Sequence, residues 1–539
     1  MMPETLFAAP IWPLLILTAL SLSIGWGIRG NFGHELGAAI PGALASMAVV
    51  LMSGRPDWWP RLAYFAMFGA LGWSFGGSIA YMHTVGYTHS PHSRTVLYGF
   101  ANLFVIGFLW AALGGAGTAL PACLDATQLG LFFVPVIAVF VAWFLKDLVE
   151  DFFFKVDGDR RHQSPLYWYD TDWLAAVTAF LAALVVVAIR GRLDLATSLV
   201  LHLSGGWFVS FLVLVNVLRL RMNPPRGDNW AGCVGMVAGL LLWCWRYGFE
   251  QVALVSLLTG FIGGIGFSLA QLLKLAFIRT GRQTNWHSVM EQMHGLFHGV
   301  ALAVGMGFLA ASAPRLADVV PLPGWTKVFA VAFVLVGLTY LNHVKATTTW
   351  VKQVASLPER FYGLPVSGYL RGPGRVGWFE LIYLAIGAAV IGLTAANLHR
   401  PLPFMPESPL GQGELMYLVF LWWVVIFNFE RALVGFVPQR IVTEGTITFN
   451  AVVCTVLMAL GAQLVGVRGL VPEPSSFAPW IWRTVLLGSG GAVLMTFTGW
   501  WAKGLLYGPR HAPGAGLHIR FGPNATAIRE KPRPGDQHP

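Results

Sequence analysis

The stretch NWHSVMEQMHGLFHGV (285–300) carries the densest chemistry in the chain. At 100° per residue, His287, Glu291, His294 and His298 fall within about 60° of one another on one helix face. Glu291 and His294 have the carboxylate-x-x-imidazole spacing of helix-borne di-iron sites. His294 and His298, one turn apart, can share a transition-metal ion. The same stripe can instead handle protons or a substrate, because imidazole changes charge near neutral pH. It can also be purely structural, hydrogen-bonded to Asn side chains or carbonyls of other helices. The candidate metal ligands are therefore Glu291, His294 and His298, while the sequence itself requires no cofactor.

A second constellation is GWGIRGNFGHELG (25–37). Its five glycines allow an unwound backbone, and Arg29, His34 and Glu35 are its ionisable groups. Two readings compete. In one, a broken or re-entrant segment lets Arg29 clamp an anionic group, with Glu35 as its partner in the unloaded state. In the other, an Arg–Glu pair closes an interfacial turn. A third segment, YMHTVGYTHSPHS (81–93), holds His83, His89 and His92 at a metal-like spacing. It reads as a loop with no carboxylate or Cys nearby, so solvated histidines are expected there. Glu380, the Glu430–Arg431 pair and His202 also interrupt apolar runs. Lys146/Asp147 and Asn342/His343 sit at span ends, where snorkelling explains them. The tryptophans read as an interface belt rather than a stacking platform for a ligand.

These residues have to be positioned by apolar elements. Of 539 residues, 56% are apolar and 11% charged, against about 25% charged in a soluble domain, and the mean hydropathy is +0.63. Apolar runs long enough to cross a bilayer fall near 10–28, 35–53, 61–82, 95–117, 128–149, 172–190, 195–218, 230–246, 250–277, 287–311, 325–344, 377–397, 414–436, 445–467 and 479–507. Lipid offers no hydrogen bonds, so these fifteen or so spans must be helices in an all-α polytopic membrane bundle. The first run reads as a retained span rather than a cleaved signal. Connections after odd-numbered spans, with the C-terminal tail, hold 25 of the 35 Lys and Arg. That asymmetry places the N-terminus outside and the C-terminus in the cytoplasm of a bacterial-type inner membrane. It also accounts for the net charge of +10, since no basic cluster with interleaved aromatics points to nucleic acid. The four cysteines lack metal or disulfide spacing, and no Walker, GxGxxG, GxSxG or HExxH motif occurs.

Colinear matches suggest duplication. GALGWSFGGSIAY (69–81) aligns with GFIGGIGFSLAQ (260–271), so that Gly72 answers Gly264 and Phe75 answers Phe267. Gly42 answers Gly235, Asn102 answers His294, and Gly107 answers Gly299. The expected organisation is two parallel six-helix repeats (1–190 and 191–400), three additional helices (401–508) and a disordered cytoplasmic tail (509–539). Asn102 joins the candidate site as the counterpart of His294. This six-plus-six arrangement resembles the major facilitator superfamily, and SGRPDWWPR (53–61) resembles its Gly/Asp/Arg loop. The resemblance is confined to the arrangement of spans and implies no residue role.

The function expected from these features is a secondary transporter or permease for a small polar or anionic solute. Glu291, His294, His298 and His287 would handle protons or substrate, and Arg29 would clamp an anion. Alternatives are a membrane-embedded metal-dependent enzyme acting on a lipid-linked substrate, and a scaffold or pigment-binding subunit of a membrane complex. Expected partners are the lipid bilayer, a small-molecule solute and other membrane proteins, with no nucleic acid.

Overall fold

The structure, a computed structural model, describes residues 11–32, 35–157, 172–220, 229–282, 284–316, 321–340, 409–434, 441–472 and 474–514. It also describes short pieces at 168, 222, 342, 364–366, 374–376 and between 385 and 400. The helices are α1 (Trp12–Phe32), α2 (Glu35–Met52), α3 (Leu62–Gly77), α4 (Met82–Thr88), α5 (Ser93–Cys123), α6 (Ala126–Leu131), α7 (Phe133–Asp157) and α8 (Asp172–Arg190). They continue with α9 (Leu195–Ser210), α10 (Asn229–Tyr247), α11 (Glu250–Ile278), α12 (Trp286–Ser312), α13 (Gly324–Ala332), α14 (Leu410–Val434), α15 (Ile441–Leu464) and α16 (Ala478–Tyr507). A two-stranded antiparallel ribbon pairs β1 (Leu364–Val366) with β2 (Gly374–Val376) and is the β-structure among the described residues.

Ten of these helices are long and apolar enough to cross a membrane, or eleven if α3 and α4 count as one bent span. The figure is lower than the fifteen expected from apolar runs, for identifiable reasons. The apolar part of α2 is short, as is α13 with its π-helical continuation. Helix α10 is interrupted by glycines, tryptophans and Arg246. The run 377–397 lies outside the described residues apart from isolated positions. Outer helices carry apolar residues on their exposed faces, with Ile189 81% and Leu486 74% exposed, which suits contact with lipid rather than water.

Six helices close into a ring, in the order α1, α2, α3, α5, α11, α12 and back to α1. Lipid tails are as apolar as leucine, so such contacts depend on close packing rather than on the hydrophobic effect. Glycines supply it at every joint. A Cβ on Gly25 of α1 would lie 2.4 Å from Pro41 Cα of α2, and one on Gly42 would lie 2.5 Å from the Gly69 carbonyl of α3. The Gly72, Gly264, Gly266 and Gly299 positions seal the α3–α5, α5–α11, α11–α12 and α12–α1 joints in the same way. The glycine matches noted in the sequence do not recur at equivalent joints. Gly72 and Gly264 both face α5, while Gly42 faces α3 and Gly235 faces α9. They mark helix contacts without a repeated set of neighbours.

At one end of the ring Arg55 joins connections distant in sequence. Its guanidinium forms an ion pair with Asp57 at 2.5 Å and donates to the carbonyls of Ala310, Ala313 and Pro314 at 3.1, 2.9 and 2.8 Å. These carbonyls belong to the last turn of α12 and the residues after it, where acceptors lack intrahelical partners. Arg61 serves α5 similarly through Pro121 and Leu124. The segment resembling a facilitator loop is thus a structural clasp. Burial pushes the Asp57 carboxyl up, but the Arg55 fork and the Leu316 N–H outweigh it and hold it below the usual carboxylate range. The sign follows from linkage: the contribution of Asp57 is present above about pH 4 and is lost as pH falls through the lower folded value. Arg55→Ala is expected to cost about 3 kcal/mol, read as a lower melting temperature in detergent. An unchanged melting temperature would show that the clasp is not needed.

Candidate functional site

Helix α12 begins with Asn285 as N-cap, its side chain accepting from the Ser288 N–H at 3.1 Å. That start fixes the phase of the helix, and the phase turns the His287–Glu291–His294–His298 stripe toward the interior of the ring. Exposure falls along it, from a half-buried His287 to 6% at Glu291, 1% at His294 and 0% at His298. The stripe therefore runs from the edge of the ring into its packed centre.

Three tryptophans, one each from α1, α3 and α5, surround the deep end. Trp26 stacks on Trp110 with centroids 4.7 Å apart, and Trp73 meets Trp26 edge-on at 6.2 Å. The His294 ring lies 4.3 Å from Phe267, 4.7 Å from Trp26 and 4.2 Å from His298. His298 Nε2 donates to the Gly263 carbonyl at 3.1 Å. Trp26, Trp73 and Trp110 are fully or almost fully buried, so the reading of tryptophan as an interface belt fails for these three.

The shallow end joins the two main sequence constellations. Arg29, 2% exposed, lies 5.0 Å from the Trp26 centroid, 5.1 Å from Trp110 and 5.7 Å from Tyr81. Its guanidinium donates to the Gly77 carbonyl at the end of α3. Tyr81 donates to Glu291, and His287 Nε2 lies 3.7 Å from the same carboxylate. Tyr81 is at the break between α3 and α4, where the chain bends by 58°. The segment 81–93, expected to be a loop, is largely the short helix α4. Its His83 and His92 are exposed and its His89 is buried, so they do not form a cluster.

Other candidates lie elsewhere. Asn102 donates to the Tyr98 carbonyl of its own helix at 2.7 Å and takes no part in the site, because side-chain-to-backbone bonding one turn back satisfies it locally. His34 lies outside the described residues, as does the side chain of Glu35. Glu380 and the side chains of Glu430 and Arg431 are outside them too. Glu291, His294 and His298 do not assemble as ligands of one metal. Glu291 is engaged by Tyr81 and His287, and His298 by Gly263. Among the described residues no group of three or more His, Cys, Asp or Glu side chains is placed to hold a metal ion.

Several buried nitrogens of the cluster have no hydrogen-bond partner among the described residues: Nε1 of Trp26, Trp73 and Trp110, Nε2 of His294 and Nδ1 of His298. A buried polar group left unpaired costs about 1–3 kcal/mol, so a cluster of them is a poor way to stabilise a fold. Chemically the centre offers indole and imidazole groups, a guanidinium and a carboxylate inside an aromatic wall. Such a set can hold a small polar or anionic species and can pass a proton between Glu291 and the imidazoles.

The beginning of the C-terminal tail, expected to be disordered, is docked near this end. His89 Nδ1 donates to the Pro513 carbonyl at 2.8 Å, and the Ala512 N–H donates to the His89 carbonyl at 2.9 Å. Ala512 is fully buried against Val96, Phe100 and Leu275. Residues 515–539 lie outside the described residues. Burial, helped by the nearby Lys274 charge, pushes His89 down to about 4. The released segment leaves His89 near its ordinary value of about 6.5, so protonation favours release as pH falls below that value. Docking is expected to weaken by up to tenfold per pH unit between about 6.5 and 4. Faster amide exchange at 510–514 at pH 5 than at pH 7.5, after correction for intrinsic rates, is the expected reading; unaltered protection contradicts it.

Comparison of the chain with protein-family models, with curated proteins and with solved structures gives no match.

Proposed function

We propose that the protein is a permease of a bacterial-type inner membrane, moving a small polar or anionic solute through the six-helix ring with protons handled by the α12 stripe. One observation carries this reading. Arg29 of α1 and Glu291 of α12, both buried, converge on Tyr81 at the α3–α4 break. Broken helices whose freed backbone groups and side chains receive the solute are a recurring feature of transporters, and this break lies where the polar stripe begins. In this reading Arg29 attracts the solute's negative end, while Glu291, His287, His294 and His298 exchange protons.

The reading includes about fifteen crossings with the N-terminus outside. Its support is the Lys and Arg asymmetry between alternate connections, together with the way those connections meet in two sets. Those following α2, α5 and α12 join at one end through the Arg55 and Arg61 side chains, and the Arg468 backbone N–H donates to the Gly54 carbonyl at 3.1 Å. At the other end Tyr507 of α16 donates to the Leu275 carbonyl of α11 at 2.7 Å, and the tail meets His89. The duplication of a six-span unit is not needed by this reading.

The test is solute-dependent proton flux into proteoliposomes, screened with small carboxylates. Glu291→Gln and His294→Ala are each expected to lower the flux by about 10²-fold, the scale of a lost acid–base group. Flux unchanged in both variants removes the stripe from the mechanism.

A further inference from the structure

Helix α11 carries two buried polar groups that neither the stripe nor the Arg29 cluster explains. Lys274 is 2% exposed and so cannot extend its ammonium to the interface as span-end lysines usually do. Among the described residues it has no hydrogen bond and no ion pair, although its charge is within electrostatic reach of Glu291 and His89. Gln271, one turn earlier on the same face, is fully buried. Its Nε2 donates to Thr88 Oγ1 at 2.7 Å, and the Thr88 hydroxyl donates onward to the Val85 carbonyl at 2.7 Å. Because the Thr88 proton is used there, its oxygen can only accept, and this fixes the orientation of the amide. Gln271 Oε1 therefore remains a buried acceptor with no partner among the described residues.

A cationic donor and a neutral acceptor one turn apart on one helix face, both without a partner among the described residues and both on side chains at most 2% exposed, define a complementary ligand. It needs an anionic oxygen for Lys274 and an O–H or N–H for Gln271. A plain anion satisfies only the first group and leaves the carbonyl oxygen desolvated against it.

We propose that Lys274 and Gln271 form a second binding pole of the pathway, selecting a small oxyanion that carries its own hydrogen-bond donor. Hydroxy- and amino-carboxylates, bicarbonate and dihydrogen phosphate have this chemistry; acetate, propionate and nitrate do not. The inference rests on the permease reading for its role in transport, but binding at this pole is measurable without transport.

The experiment is thermal stabilisation of the purified full chain in detergent by millimolar lactate, glycine, bicarbonate or phosphate, against propionate, acetate and nitrate. At least one donor-bearing anion is expected to bind about tenfold more tightly than its donor-free counterpart. Lys274→Met should abolish that stabilisation, and Lys274→Arg should restore part of it. Gln271→Leu should erase the preference of lactate over propionate while leaving the weaker anion binding in place. Each variant is accepted only if it elutes as a single folded species, and the Arg variant shows that the loss in Met is one of charge. No stabilisation by any donor-bearing anion, or full stabilisation in Lys274→Met, overturns the proposal. Binding with this dependence but no flux in proteoliposomes keeps the pole and removes the permease. Flux indifferent to Lys274→Met keeps the permease and removes the pole.

Discussion

Gly72→Leu is expected to leave no folded protein in detergent. The Cβ alone, placed on Gly72, would lie 2.4 Å from the Leu113 carbonyl oxygen and 3.2 Å from Gly117 Cα. Both are backbone atoms of α5, so no side chain can turn away to make room, and α3 and α5 would have to separate. That separation opens the ring at one of its six joints and exposes the Trp73 and Trp110 faces. Overpacking in a close-packed interior costs about 1–3 kcal/mol where neighbours can adjust, and more where they cannot. The measurement is the monodisperse fraction on size exclusion. Gly490→Ala on α16 is the control, because among the described residues nothing lies within 4 Å of its added Cβ, and its melting temperature should not move. A folded, monodisperse Gly72→Leu would show that the ring joints are looser than described.

Arg29→Met should reduce solute uptake by about 10²-fold, equivalent to about 3 kcal/mol of lost interaction. Methionine keeps the apolar bulk against Trp26, Trp110 and Tyr81 but removes the charge and the bond to Gly77. Arg29→Lys should rescue little. The planar guanidinium stacks on indole faces and presents a fork of donors, while an ammonium is a compact and strongly hydrated point charge. Uptake by Arg29→Lys at the wild-type rate would mean that charge alone suffices and that the stacked geometry is incidental.

The helices were legible because apolar runs in lipid have one way of satisfying their amides. The inward stripe was legible because four ionisable groups on one helix face demand a polar neighbour. Arg29 stood out for the same reason. The tryptophans did not, since indole suits both the membrane interface and a packed interior. Their signal was local: Trp26 lies between Gly25 and Gly27, and Trp73 follows Gly72, so flanking glycines bring neighbouring backbones close. Lys274 was hidden among the basic residues at the end of a span, where snorkelling is the ordinary outcome. Tyr81 fell in a segment whose histidines and Ser-Pro suggested a loop. The ring itself was out of reach, because α1 pairing with α12 is a long-range contact that periodicity does not encode. The colinear glycines suggested repetition, yet any close helix contact selects glycine, whichever helix lies opposite.

In the permease reading, the α12 stripe lines a route open to water in turn from the two sides of the membrane. That route is tested most directly by His294→Cys in a chain whose four native cysteines have been replaced, with His92→Cys as an exposed control. A membrane-impermeant thiol reagent is expected to label position 294 in oriented vesicles, and a transported solute to slow the labelling. If position 92 reacts while position 294 stays unlabelled from both sides under all conditions, the stripe is sealed packing and lines no route.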